Sequence, residues 1–204
     1  MPRKHTRWWI LLALIVIGIL LLIGFLRARP YILYLGKMLL TNDAAGAINR
    51  AVTEQMEAGK LSYSSFIQME RRADGTILAV HTDPVELNRF RIGILSRLDD
   101  LFAEMGETKY GIPVGSLLFP NLVFGLGPEL PLRLLSANTS SAEFRSRFSE
   151  AGINQTRHEL VLCVSMTMTI MTTAGPDTFD TDYEVIVADT ILLGSVPNSI
   201  WTKN

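Results

Sequence analysis

The chain has 204 residues, 19 Lys and Arg against 20 Asp and Glu, and a formal net charge of −1. Five of the basic residues precede Pro30 and no acidic residue does, so the chain from Pro30 onward carries a net negative charge. This charge argues against a nucleic-acid partner, because phosphate binding needs clustered Lys and Arg. The single cysteine, Cys163, excludes an intrachain disulfide and a cysteine-based metal site, and its apolar strand predicts a buried, inert thiol.

The run from Trp8 to Leu26 contains no charged residue and as a helix would be about 28 Å long, close to the thickness of a bilayer core. No small-residue cleavage site follows it, so an uncleaved membrane anchor is favoured over a signal peptide or a buried core helix. The bias of flanking positive charge places the N-terminus in the cytoplasm: Arg3, Lys4 and Arg7 before the run, Arg27 and Arg29 after it. We therefore predict a single-pass anchor over residues 1–29 and an extracytoplasmic domain over residues 30–204.

Helical and strand patterns follow the anchor. A connecting segment at residues 31–35 precedes an apolar stripe from Ala44 to Met56, which predicts a helix capped by residues 41–43 and ended by Gly59. Two strands, 66–71 and 76–82, flank an Asp-Gly turn. Asp83 and Pro84 then begin a second helix, with Glu86 completing a capping box, Leu87 to Met105 marking its buried face and Gly106 ending it.

The second half of the chain is mostly β. Residues 108–130 fit a buried irregular segment, a short helix or a loop that touches lipid, and composition does not choose among them. We predict an extended stretch at 131–137, a helix at 140–151, and two long strands at 157–173 and 179–193. Even-numbered residues of the first long strand, from Leu160 to Ile170, form its apolar face. The predicted fold is α+β, with two main helices and a long, curved antiparallel sheet.

The best candidate binding site is the polar run Asn154, Gln155, Thr156, Arg157 and His158. These five hydrogen-bonding side chains could form a recognition patch. The same residue types also favour a turn, in which Asn154 and Thr156 bond local backbone and Arg157 pairs with an acid.

No residue set indicates catalysis, a metal or a cofactor. His5, His81 and His158 lack the spacing of metal ligands, and the adjacent Asp99 and Asp100 do not share a helix face. Nucleophile elbows, phosphate loops and dinucleotide fingerprints do not occur in the sequence. We therefore expect a protein that is not an enzyme.

Five segments resemble the YunB family of sporulation proteins from endospore-forming bacteria. They are residues 47–52 (AINRAV), 112–117 (IPVGSL), 127–131 (GPELP), 144–158 (FRSRFSEAGINQTRH) and 196–198 (VPN). The resemblance implies a membrane-anchored protein of endospore formation, in the mother-cell or forespore membrane, with other sporulation or cell-envelope proteins as partners. It implies no catalytic residues.

Three functions stay open at this point. The first is a structural or interaction role outside the membrane. The second is a lipid or apolar-ligand carrier with a tubular roll fold, which would have an open tunnel lined by Leu162, Val164, Met166 and Met168. The third is a cell-wall hydrolase, which the lack of a catalytic set disfavours.

Overall fold

The longest element is one uninterrupted helix at the N-terminus. A computed structural model describes residues 3–73, 77–118 and 125–193. Its elements are α1 Arg3–Gly59, α2 Tyr63–Phe66, β1 Ile67–Arg71, β2 Ile77–Thr82, α3 Pro84–Glu107, β3 Tyr110–Pro113, α4 Val114–Leu118, β4 Glu129–Gly152, β5 Gln155–Thr172 and β6 Gly175–Leu193. The predicted α+β class with a curled antiparallel sheet is confirmed.

Helix α1 spans 57 residues, about 85 Å, with Pro30 inside it. The predicted connecting segment at 31–35 and the cap at 41–43 are therefore wrong. The reason is that the apolar stripe begins earlier than Ala44: Ile32, Gly36 and Leu40 are buried at four-residue spacing and continue it towards the N-terminus. Gly36 permits a close approach, since a Cβ there would lie 3.2 Å from Cδ1 of Leu132.

The N-terminal part of α1 is apolar and is not buried by any other described part of the chain. It contains an 18-residue window of mean hydropathy 3.1 with no residue buried, and it is the one helix in the described residues that is long and apolar enough to cross a membrane. Burial begins at Ile32. The division into an anchor over 1–29 and a domain over 30–204 stays a prediction, and the helix passes through that boundary without a break.

The central hairpin and helix follow the sequence patterns. Strands β1 and β2 pair antiparallel as predicted; the turn residues 74–76 lie outside the described part of the chain. At the start of α3, Oδ1 of Asp83 accepts hydrogen bonds from the backbone N–H groups of Val85 (3.0 Å) and Glu86 (3.1 Å). The Glu86 carboxylate, predicted to complete a capping box, instead pairs with Arg89 at 2.8 Å. Phe90 to Met105 supply the predicted buried face.

The main sheet has the strand order β3-β4-β5-β6, and every neighbouring pair is antiparallel. The even-numbered side chains of β5 from His158 to Thr172 are buried, as predicted from Leu160 to Ile170. We call this the helix side of the sheet, because α1 and α3 share its core cluster; the opposite side is the outer side. Residues 108–130, for which the sequence left three structures open, include β3 and the short helix α4. Residues 119–124 lie outside the described part of the chain.

The helix predicted at 140–151 is wrong, because this stretch is part of the single strand β4. Its apolar signal was Phe144 and Phe148, and a spacing of four places two residues on one face of a helix and also on one face of a strand. Pairing with β5 along nearly its whole length decides for the strand.

The side chains that would line a lipid tunnel are packed. Leu162, Val164, Met166 and Met168 are at most 1% exposed and belong to the core cluster shared with α1 and α3. The helix side of β5 is thus filled by the chain's own helices. Cys163, predicted as buried, lies half-buried on the outer side.

Candidate functional site

The run from Asn154 to His158 lies at the end of the sheet where β4 turns into β5. Asn154 occupies the turn with φ 57°, a left-handed conformation that asparagine tolerates. Strand alternation then directs Gln155 and Arg157 to the outer side and Thr156 and His158 to the helix side. The five side chains therefore do not form one continuous surface. Their role in binding stays a prediction.

His158 is completely buried at this end of the sheet and connects it to α2. Its Nδ1 lies 2.6 Å from the hydroxyl oxygen of Tyr63. The imidazole stacks on Phe148, with centroids 4.4 Å apart and planes 20° apart, and meets the Tyr63 ring edge-on at 5.7 Å. We name Tyr63, Phe148 and His158 the distal cluster. Of these three residues, sequence analysis identified only His158 as a candidate, because Tyr63 and Phe148 lie on other elements, α2 and β4.

Burial sets the protonation of the distal cluster. It lowers the pKa of His158 and raises the pKa of Tyr63, so both side chains are neutral at neutral pH. A neutral Tyr63 hydroxyl that donates to Nδ1 places the imidazole proton on Nε2. Nε2 is itself buried and has no hydrogen-bond partner in the described part of the chain. The cluster thus holds α2 against the sheet at the cost of one unsatisfied polar atom.

Three successive outer-side positions of β6 carry carboxylates, and we call Asp180, Asp182 and Glu184 the acidic row. The Ser165 hydroxyl donates to Asp182 and the Thr167 hydroxyl to Asp180, each at 2.6 Å. Among the ion pairs of the described residues, Glu184 meets Arg147 at 3.4 Å, whereas neither Asp180 nor Asp182 is within 4 Å of a basic group. The row therefore presents oriented, exposed carboxylates whose charge is incompletely neutralised. It can bind cationic groups.

A charge network joins the three long strands next to the acidic row. Arg147 of β4 contacts Glu159 of β5 at 2.9 Å, and Arg157 approaches the same carboxylate at 3.8 Å. Together with the Arg147–Glu184 pair, these contacts hold β4, β5 and β6 in register on the outer side. Sequence reasoning did not identify this network, because its members are brought together only by strand pairing.

Metal-ligating and nucleophilic groups are dispersed. In the three described ranges, no group of three His, Cys, Asp or Glu side chains is placed to hold a metal ion. Burial, together with the nearby Glu184 carboxylate, raises the pKa of the Cys163 thiol, which keeps it protonated at neutral pH. His81 pairs loosely with Glu70 at 3.5 Å on the small hairpin.

Comparison with known proteins adds a family to this geometry. Residues 109–199 match the sequence profile of a family described as Sporulation protein YunB. No curated protein and no solved structure matches the chain. The matched range covers β3, α4 and the long strands β4 to β6, and so includes the acidic row and most of the distal cluster. The predicted resemblance is confirmed over residues 109–199, which are similar to the sporulation protein YunB family.

Proposed function

We propose that this chain is a membrane-anchored protein of endospore formation that acts by binding other proteins and not by catalysis. The match of residues 109–199 to the sporulation protein YunB family supports the role in sporulation. The proposed topology is single-pass, with the N-terminus in the cytoplasm and the sheet outside the mother-cell or forespore membrane. The observation that carries the proposal is the uninterrupted helix α1, which is exposed and apolar in its first half and part of the core in its second half.

The two ends of the exposed part of α1 have the chemistry of a membrane boundary. Trp8 and Trp9 are exposed at one end, and Tyr31 and Tyr34, each 64% exposed, at the other. In a helix, Trp9 and Tyr31 are about 33 Å apart, close to the hydrocarbon thickness of a bilayer. Aromatic side chains of this kind prefer the two interfaces of a membrane.

Contacts between α1 and the sheet support an orientation in which one end of the sheet faces the proposed anchor. Lys37 pairs with Asp177 at 2.8 Å, and Gly36 lies against Leu132, so the turn from β5 to β6 is on the anchor side. His158 precedes Thr172, the last residue of β5, by fourteen residues, which is about 45 Å in an extended strand. In the proposed topology the sheet stands upright, and the distal cluster lies far from the membrane.

The anchor is tested by a chain that begins at Pro30, expressed in an endospore-forming host beside the full chain. We expect the shortened protein to leave the membrane fraction and spore yield to fall, because the sheet is no longer held where its partners are. A matched control replaces residues 8–26 with an unrelated apolar helix of equal length and should restore both. Retention of the shortened protein on membranes after a high-salt wash would contradict the single anchor.

Binding without catalysis is tested by single substitutions. Asn154→Ala, Thr156→Ala and His158→Ala should each leave spore yield largely unchanged or lower it only as far as folding falls, because no one side chain carries out a reaction. The protein level and membrane location of each variant are measured alongside. One stable, correctly located variant that abolishes spore formation would refute the non-enzymatic role.

A further inference from the structure

Strand β6 is an open edge of the sheet. It pairs with β5 from Gly175 to Leu193, and no strand in the described residues pairs with its other side. A free edge exposes main-chain N–H and C=O groups that can pair with another strand. At 19 residues, β6 is much longer than the usual edge strand, which is kept short or interrupted by proline or lysine. Its only proline is its second residue, Pro176, and it contains no lysine.

The two faces of β6 specify what kind of strand fits beside it. The outer side presents the acidic row. The helix side presents Phe179, Tyr183 and Val185, which are only partly buried although they pack against the core. Since cross-strand neighbours lie about 5 Å apart, a matching strand has basic residues on its outer side and apolar residues between them.

The chain contains such a strand at the opposite edge of the same sheet. In β4, Phe144 and Phe148 are on the helix side, and Arg145 and Arg147 alternate with them on the outer side. Strand β3 covers β4 only from Glu129 to Leu132. The side chain of Arg91 on α3 reaches the Ala142 carbonyl at 3.5 Å, and beyond this point nearly all of β4 is exposed, including Phe148 at 54%.

We infer that β6 of one copy of this chain pairs with residues 144–148 of β4 in a second copy. Through Val161 of β5, Arg145 is level with Ile186 of β6, so copies at the same height place Arg145 of one beside Glu184, the end of the acidic row, of the other. Arg145 is 65% exposed, and its only ion pair in the described residues is a distant one of 3.9 Å. Pairing of β6 with the β6 of a second copy would place acids opposite acids and is disfavoured. The acidic row therefore selects the β4 edge.

The inferred contact is head-to-tail and repeats. Each copy has one β4 edge and one β6 edge, so the contact builds a ring or a chain of copies. Strands β4 and β6 run in the same direction, because both are antiparallel to β5. Copies that stand in one membrane with the same orientation therefore pair in parallel. This inference rests on the proposed function and names a second copy of the chain as one of its partners.

The test is the association of the full chain in detergent micelles, measured by sedimentation with the detergent density-matched. Two variants break opposite edges: Glu184→Lys and Arg145→Glu. Each should weaken association by about threefold or more, because a favourable cross-strand pair becomes a like-charged one. Asp99→Lys, on the exposed face of α3, changes the net charge by the same amount as Glu184→Lys and should leave association unchanged. Circular dichroism confirms that every variant is folded.

Mixing the two variants gives a sharper result. The lysine edge of one variant matches the glutamate edge of the other, and their unchanged edges match as well, so an equimolar mixture should associate like the natural chain. A natural chain that stays monomeric at all concentrations, association unaffected by both variants, or a mixture that does not recover would each overturn the inference. Monomers that remain on the membrane and support spore formation would remove this partner and leave the proposed function standing.

Discussion

Replacing Tyr63 with phenylalanine removes the hydroxyl that bonds Nδ1 of His158 and keeps the rest of the ring. His158 is completely buried, so water does not replace the lost partner. A buried polar atom that loses its partner costs roughly 1–3 kcal/mol. We expect Tyr63→Phe to lower the free energy of unfolding by that amount, a large share of the roughly 5–15 kcal/mol typical of a folded domain.

Replacing His158 with leucine should cost much less. The substitution loses the ring contacts with Phe148 and Tyr63, worth about 0.5–1.5 kcal/mol each. It also removes Nε2, whose burial without a partner costs roughly 1–3 kcal/mol. The Tyr63 side chain is only half-buried, and its hydroxyl can turn to water. The two effects offset each other, so the net change should be within about 1 kcal/mol of zero.

The combination of both substitutions separates the hydrogen bond from the packing. With leucine at position 158, Tyr63→Phe no longer strands a buried nitrogen and should cost almost nothing. Urea unfolding of the full chain in a mild detergent, followed by far-ultraviolet circular dichroism, gives the three free-energy differences of the double-mutant cycle. An equal cost for Tyr63→Phe in the two backgrounds would refute the bond and the role of the distal cluster as a connection between α2 and the sheet.

Three further expectations concern the cap, the core and pH. Asp83→Ala should lower the free energy of unfolding by about 1 kcal/mol, because two N–H groups at the start of α3 lose their acceptor. Val164→Asp should lower the free energy of unfolding by more than about 3 kcal/mol, because it buries a charge. Thr167→Asp, on the outer side with access to water, should lower it by only about 1 kcal/mol. Equal losses would show that both sides of the sheet are covered. Because burial lowers the pKa of His158, the unfolded chain binds its proton first, so stability should be full above pH 6.5 and decline as pH falls from 6.5 towards the lowered pKa. A pH titration of unfolding checks this, and the decline between 6.5 and that pKa should disappear in His158→Leu.

The elements that could be predicted from the sequence are those whose local pattern and tertiary environment agree. Strand β5 alternates apolar and small polar residues, and the sheet buries the apolar set. Helix α3 begins at Asp83 with the predicted cap and buries the predicted stripe. In both cases the spacing of the apolar residues fits only one periodicity, that of a strand for β5 and that of a helix for α3, so the local sequence was sufficient.

Two elements were predicted wrongly, the helix at 140–151 and the connecting segment at 31–35. In both, the contacts that decide the structure are made with residues distant in the chain. Phe144 and Phe148 fit a helix and a strand equally well until β5 pairs beside them. Residues 31–40 contain no strong helix signal of their own, but Ile32 and Leu40 are buried in the structure, and Gly36 is in contact with Leu132 of β4. The partners of His158 and of the acidic row are likewise set by pairing register, which local sequence does not encode.

The continuity of α1 has a mechanical consequence for the sheet. A membrane protein joined to its anchor by a flexible linker can take any orientation, whereas a helix that enters the core transmits its own direction to the domain. Ile32, Leu40 and Ile48 bury the helix against the sheet, and the Lys37–Asp177 pair holds it beside β6. Every copy in one membrane would therefore hold its β4 and β6 edges at the same height and in the same direction. Parallel strand pairing between copies requires that alignment, and a helix continuous into the core would supply it before the copies meet, which would lower the entropy lost on association.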